Sequence, residues 1–172
     1  MTTRPDRTEA APYYFTYIDQ VPDGDVCEQL VTQLPVVVGL LRTIPDARSL
    51  DRYAPGKWTI REVVNHLTDC ERLFAGRAFW FARGLESPLP SFDQEVAASA
   101  ARADERSWPE LIAELEAVRG ATVAFFRSLP AEAWDRRGTA SDNVFTVRAC
   151  AFLCIGHVAH HAAILRERYL GL

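Results

Sequence analysis

The chain has 172 residues and a formal net charge of −4, with 48% hydrophobic and 24% charged residues, the balance of an ordinary globular domain. That length suits one domain over residues 1–172, with a core that needs no disulfide or metal staple. Lys57 is the sole lysine, and the arginines are scattered among acids, as at Glu71-Arg72 and Arg166-Glu167-Arg168. No basic stripe forms, so no nucleic-acid partner is expected.

No apolar run reaches the ~20 residues of a membrane-spanning helix, so no membrane partner is expected. Met1 to Pro12 carries two arginines with no apolar stretch behind them, so no secretory signal is expected and the chain reads as cytoplasmic. Cys27, Cys70, Cys150 and Cys154 have no CxxC spacing and fall in helical stretches, which reads as reduced thiols.

In chain order, residues 1–20 are polar and then aromatic, with Tyr13, Tyr14, Phe15 and Tyr17. This predicts a poorly ordered start or an extension packed on the body. A first helix is expected from Gly24 to Thr43 on the repeat of Val26, Leu30, Leu34, Val37, Val38 and Leu41, with a kink at Pro35. Thr59-Ile60-Arg61-Glu62 is a capping-box pattern with Trp58 placed as a hydrophobic staple, and the second helix should run to about Arg83. Glu86 to Pro90 reads as a turn, and Ser91 to Ala103 holds a short helix. Ser107-Trp108-Pro109-Glu110 opens a third helix with a second capping box and an early proline, ending near Leu129-Pro130. Asp135 to Asn143 is polar and turn-rich. A fourth helix runs from Thr146 to Tyr169, with Gly171 beyond it. No segment alternates with period two, so little strand is expected. Four long helices with one longer crossover between the second and third predict an all-α four-helix bundle.

Three of the four histidines fall in Gly156-His157-Val158-Ala159-His160-His161. Residues four apart share a helix face, so His157 and His161 can ligate one ion. His157 with His160 is also geometrically possible, but the four-residue pair keeps both rings on the side of Cys150 and Cys154 and is preferred. His66 lies in the middle of the second helix, on a face with Val63, Cys70 and Phe74; taken alone it reads as a core residue. Taken together, three mid-helix imidazoles near inward faces point to a metal site in the bundle core. Such donors suit Zn²⁺, Ni²⁺, Co²⁺ or Fe²⁺. Three protein ligands leave a position open for catalysis, unless Cys70 or Cys154 closes it. Asp69, three residues after His66, is the candidate for orienting an imidazole or for acid–base work. Glu62 is assigned to the capping box.

The stretch Gly56-Lys57-Trp58-Thr59-Ile60-Arg61-Glu62-Val63-Val64-Asn65-His66-Leu67-Thr68-Asp69, then Ser91-Phe92-Asp93-Gln94-Glu95, Phe145-Thr146-Val147-Arg148 and Gly156-His157-Val158-Ala159-His160-His161, resembles the DinB/YfiT-like superfamily in order and spacing. The resemblance covers Val26 to Leu170. It implies an up-down-down-up four-helix bundle and a divalent metal, zinc or nickel, held by His66, His157 and His161, with His160 outside the set. It also implies a small-molecule substrate, frequent homodimers, and two lines of function. These are transfer or use of a low-molecular-weight thiol such as bacillithiol or mycothiol on an electrophile, or metal-dependent hydrolysis. A third, a non-enzymatic, stress-related metal-binding role, rests instead on the thiols of Cys70 and Cys154 beside the histidines, either of which could close the coordination sphere. Phe92 and Asp93 are expected at the site mouth or as loop anchor and cap, and Arg148 as a surface or capping residue.

Overall fold

The computed structural model describes residues 3–172. It contains the short α1 (Phe15–Ile18), then α2 (Val26–Arg42), α3 (Ile60–Ala82), the short α4 (Gln94–Ala101), α5 (Trp108–Arg127) and α6 (Val147–Ile164), which continues as a π-helical stretch, Leu165–Leu170. Each long helix starts on a side-chain cap that satisfies otherwise orphaned N–H groups. Asp25 accepts from Cys27 N and Glu28 N. Thr59 with Glu62 and Ser107 with Glu110 form the two expected capping boxes. Thr146 accepts from Ala149 N. α2 is one continuous helix through Pro35. The proline lies on its exposed face beside exposed Val31, where water can take up the carbonyl that Pro35 leaves without a donor.

The core divides into two apolar clusters, and this division fixes the topology. One cluster holds Leu30, Cys70, Phe74, Phe81, Phe126 and the first half of α6 up to Ile155. The other holds Val37, Leu41, Ile60, Leu67, Leu111, Leu115 and the second half of α6 from Val158. α2 and α6 therefore run from the first cluster to the second, and α3 and α5 run the opposite way. The result is the up-down-down-up bundle. Because α3 and α5 are parallel, the chain must travel back along the bundle between them, and that crossover carries α4.

A polar layer separates the clusters. Buried Arg119 on α5 donates to Glu71 Oε1 and Oε2 on α3 (2.6 and 2.8 Å), to Leu30 O and Gln33 Oε1 on α2 (both 3.0 Å) and to Cys154 O on α6 (3.2 Å). These five acceptors match the five N–H donors of a guanidinium, so one side chain joins all four long helices. His66 and His157 lie at the same level.

Two features differ from the sequence reading. The polar stretch before α6 is an antiparallel hairpin, β1 (Arg137–Ala140) and β2 (Asn143–Thr146), paired Arg137↔Thr146 through Ala140↔Asn143. Its two-residue loop, Ser141 and Asp142, has φ of 51° and 59°, the backbone that suits a tight hairpin. Four-residue strands are too short to show alternation. Second, Val147–Leu170 is by length and composition apolar enough to cross a membrane, contrary to the expectation. Within the fold, 67% of that window is buried, and its apolarity is that of a central core helix.

The N-terminal segment packs on the bundle. Arg4 donates to Ile18 O (2.8 Å), and buried Glu9 accepts from Thr146 Oγ1 (2.7 Å) and from Arg148 Nε (3.0 Å). Arg148 also pairs with Asp135 at 2.7 Å. Its work is thus to fasten the N-terminal segment to the start of α6. All four cysteines are free thiols.

Candidate metal centre

His66 sits two turns into α3, and His157 and His161 lie one turn apart on antiparallel α6. The ligand atoms of these three histidines all fall within 4.8 Å of one another. His66 Nε2 and His157 Nε2 are 3.2 Å apart. Two nitrogens bound at 2.0–2.1 Å to one tetrahedral or octahedral ion would stand roughly 2.8–3.4 Å apart, so the pair already has the spacing of two ligands. Burial is the main cause holding the rings neutral: it lowers His66 to about 4 and His161 to about 3, and puts His157 well below its ordinary value. Three unprotonated nitrogens gathered within 4.8 Å of one another are the donor set a borderline divalent ion needs. The residues fit a metal.

His160 stands apart from the converging set. Its ring packs edge-on against Tyr17 at 5.3 Å. Cys70 Sγ is 3.6 Å from both nitrogens of His66, yet it is also outside the set. Without a metal, burial pushes its thiol up to about 12. Cys154 is likewise raised well above its ordinary value, mainly by burial.

Asp69 is not brought to the histidines. Its carboxylate accepts from Asn65 Nδ2 (2.8 Å) and Arg72 Nη1 (3.3 Å), and Arg72 in turn pairs with Glu114 of α5. The residue belongs to the α3–α5 seam, and among the described residues no hydrogen bond links it to a histidine. Burial raises its pKa, partly opposed by Arg72. Glu62 closes its capping box, accepting from Thr59 N at 2.7 Å. Asp93 caps α4.

The surrounding walls include residues to which the sequence gives another role or none. The Trp58 ring lies 4.8 Å from that of His66, so the staple residue also covers a triad ring. Tyr17 lies 5.3 Å from His157. Its place depends on Gly156, where a Cβ would run into the Tyr17 carbonyl. The Gly156-His157 dipeptide was the available signal, but the aromatic run at Tyr13 to Tyr17 gave no hint of its partner. Two clefts open on the triad. One, of about 230 Å³, is lined by Tyr53, Trp58, Val63, Gln94, His161 and Tyr169, among others. The other, of about 200 Å³, is lined by Tyr17, His66, Cys70, Phe92, Gln94 and His157, among others. Gln94 borders both, and with Phe92 it brings the α3–α5 crossover to the mouth of the site.

The DinB superfamily model matches residues 29–165, most of the chain and all three histidines. The chain belongs to the DinB superfamily. No curated protein matches it significantly. Among solved structures, this DinB-superfamily chain is similar to YfiT from Bacillus subtilis, described as a probable metal-dependent hydrolase with an unusual four-helix bundle topology. The TM-score is 0.72 at 20% identity, covering 86% of this chain and 90% of YfiT. It is also similar to a mycothiol-dependent maleylpyruvate isomerase, with TM-score 0.69 at 15% identity over 84% of this chain. The match spans 61% of the isomerase's length. At these identities the likeness establishes the shared bundle.

Proposed function

We propose that the protein is a metal-dependent enzyme that brings a low-molecular-weight thiol, of the bacillithiol or mycothiol type, onto an electrophilic small molecule. The observation that carries this reading is the placement of the triad between two clefts, with His161 walling one and His66 and His157 the other. A reaction between two small molecules needs two approaches to one centre. His66, His157 and His161 would hold a divalent ion, zinc or nickel by donor type, and leave positions open. Such an ion supplies Lewis acidity that stabilises a thiolate near neutral pH.

The chain's own residues do the rest. Trp58 covers the His66 ring, and Phe92 lines the second cleft. Tyr17 is held above its ordinary pKa, chiefly by burial, so its hydroxyl keeps its proton; it shares a 2.8 Å hydrogen bond with the Tyr13 hydroxyl on the wall of the second cleft. Hydrolysis would need a base beside the triad, and Asp69, the candidate for that role, is engaged by Asn65 and Arg72. A homodimer in a reducing cytoplasm, where the four cysteines stay free, belongs to the same proposal.

The test is an assay of zinc- and nickel-loaded protein with bacillithiol or mycothiol plus monochlorobimane, run beside ester and amide substrates. Thiol-dependent turnover that disappears in His157→Ala supports the reading. Turnover of esters or amides without any thiol overturns it in favour of hydrolysis.

A further inference from the structure

Arg77 on α3 is 3% exposed, and among the described residues no carboxylate lies within ion-pairing distance of it. Its guanidinium makes one hydrogen bond, from Nη2 to Ser141 Oγ at 2.7 Å, and Nε is buried with no partner. The other buried arginines are treated differently. Arg119 fills all five donors and faces Glu71. Arg61 donates to Ser49, Asp46 and two backbone carbonyls. A buried cation with a bare N–H needs a counter-charge. The Phe145 ring, 5.4 Å from the guanidinium carbon, offers a π-face and accepts no bond along the guanidinium plane.

Arg77 lines the same cleft as His66 and His157, and no acidic residue lines that cleft. It also borders an apolar cleft of about 430 Å³ that includes Leu73, Trp80, Leu89 and Phe92. His66, Cys70, Leu73 and Arg77 follow one another at helical spacing along α3. Eleven residues separate His66 from Arg77, roughly 16 Å along the axis, and helical side chains lean toward the N-terminus, here toward the triad.

The geometry points to a carboxylate-binding subsite centred on Arg77, which takes the acid group of a substrate whose reacting end lies at the triad. The substrate class is thus an organic acid with an apolar or aromatic body, its carboxylate on the order of 10 Å from the reacting centre. A guanidinium binds a carboxylate through paired parallel N–H donors, and Arg77 Nε is the donor free for one of them. This assignment rests on the functional reading above for what happens at the triad, but the anion subsite is testable without it.

The probe is benzoate, compared with its neutral ester methyl benzoate, titrated into metal-free and zinc-loaded protein by saturation-transfer NMR. In metal-free protein, benzoate should bind at least roughly tenfold more tightly than methyl benzoate, and Arg77→Gln should remove that preference. Ser141→Gly, which cuts the one hydrogen bond of Arg77 and suits the positive φ at that position, should keep it. Should Arg77→Gln fail to fold, Arg77→Met and the acid–ester comparison in the wild type carry the test. Equal binding of acid and ester, or an undiminished preference in Arg77→Gln or Arg77→Met, overturns the subsite. Failure to retain zinc with the preference intact would count against the metal reading alone.

Discussion

Arg119 and Glu71 form a bidentate ion pair at the centre of the bundle, with side chains only 2% and 1% exposed. The pair sits in the polar layer that also holds His66 and His157, and Arg119 binds the carbonyl of Cys154, one turn before His157. Glu71→Leu leaves a buried guanidinium without its counter-charge and should cost about 3–5 kcal/mol. The double variant Glu71→Leu with Arg119→Met removes both charges and should recover a large part of that loss. Urea unfolding of the three proteins checks this; a double variant no more stable than Glu71→Leu would contradict it.

Gly156 lets the backbone of Tyr17 lie directly on α6. Gly156→Ala places a methyl against the Tyr17 carbonyl and should destabilise by about 1–3 kcal/mol through overpacking. The N-terminal segment should lift, and the contact between the Tyr17 and His157 rings should weaken. Thermal unfolding and ring-to-ring NMR cross-peaks measure the two effects. An unchanged melting temperature would show that the segment yields freely.

Burial lowers His66 to about 4 and His161 to about 3, while both titrate near 6.5 once unfolded. As pH falls below 6.5, the unfolded chain binds protons that the folded rings refuse. Stability of the metal-free protein should therefore fall from about pH 6.5 down to about 4, by on the order of 1.4 kcal/mol per pH unit for each histidine. Above 6.5 these groups contribute no slope. Denaturant unfolding at several pH values tests this, and stability that rises on acidification would mean that the rings are protonated in the fold.

The elements that could be read from sequence are those announced by local rules. Thr59 with Glu62 and Ser107 with Glu110 mark helix starts, and the spacing of His157 and His161 places two rings on one face. His66 alone reads as a core residue, because nothing within α3 tells which helix it will meet; the resemblance to a family supplied that. The hairpin stayed hidden because its turn uses Ser141 and Asp142 at positive φ, where glycine or asparagine would have signalled it. Arg119 and Arg77 stayed hidden for a different reason. Arginine is usually a surface residue, and burial is decided by partners 35 to 89 residues away for Arg119 and 64 away for Arg77. Asp69 has the spacing of a histidine partner, but Asn65 and Arg72 claim its carboxylate.

The central claim is that His66, His157 and His161 together hold one divalent ion, and metal content measures it most directly. After loading with zinc and desalting, the wild type and His160→Ala should each carry close to one equivalent by elemental analysis, and Asp69→Ala should match them. His66→Ala, His157→Ala and His161→Ala should each lose most of it. Full occupancy in His157→Ala, or loss in His160→Ala equal to that in His161→Ala, would contradict the assignment.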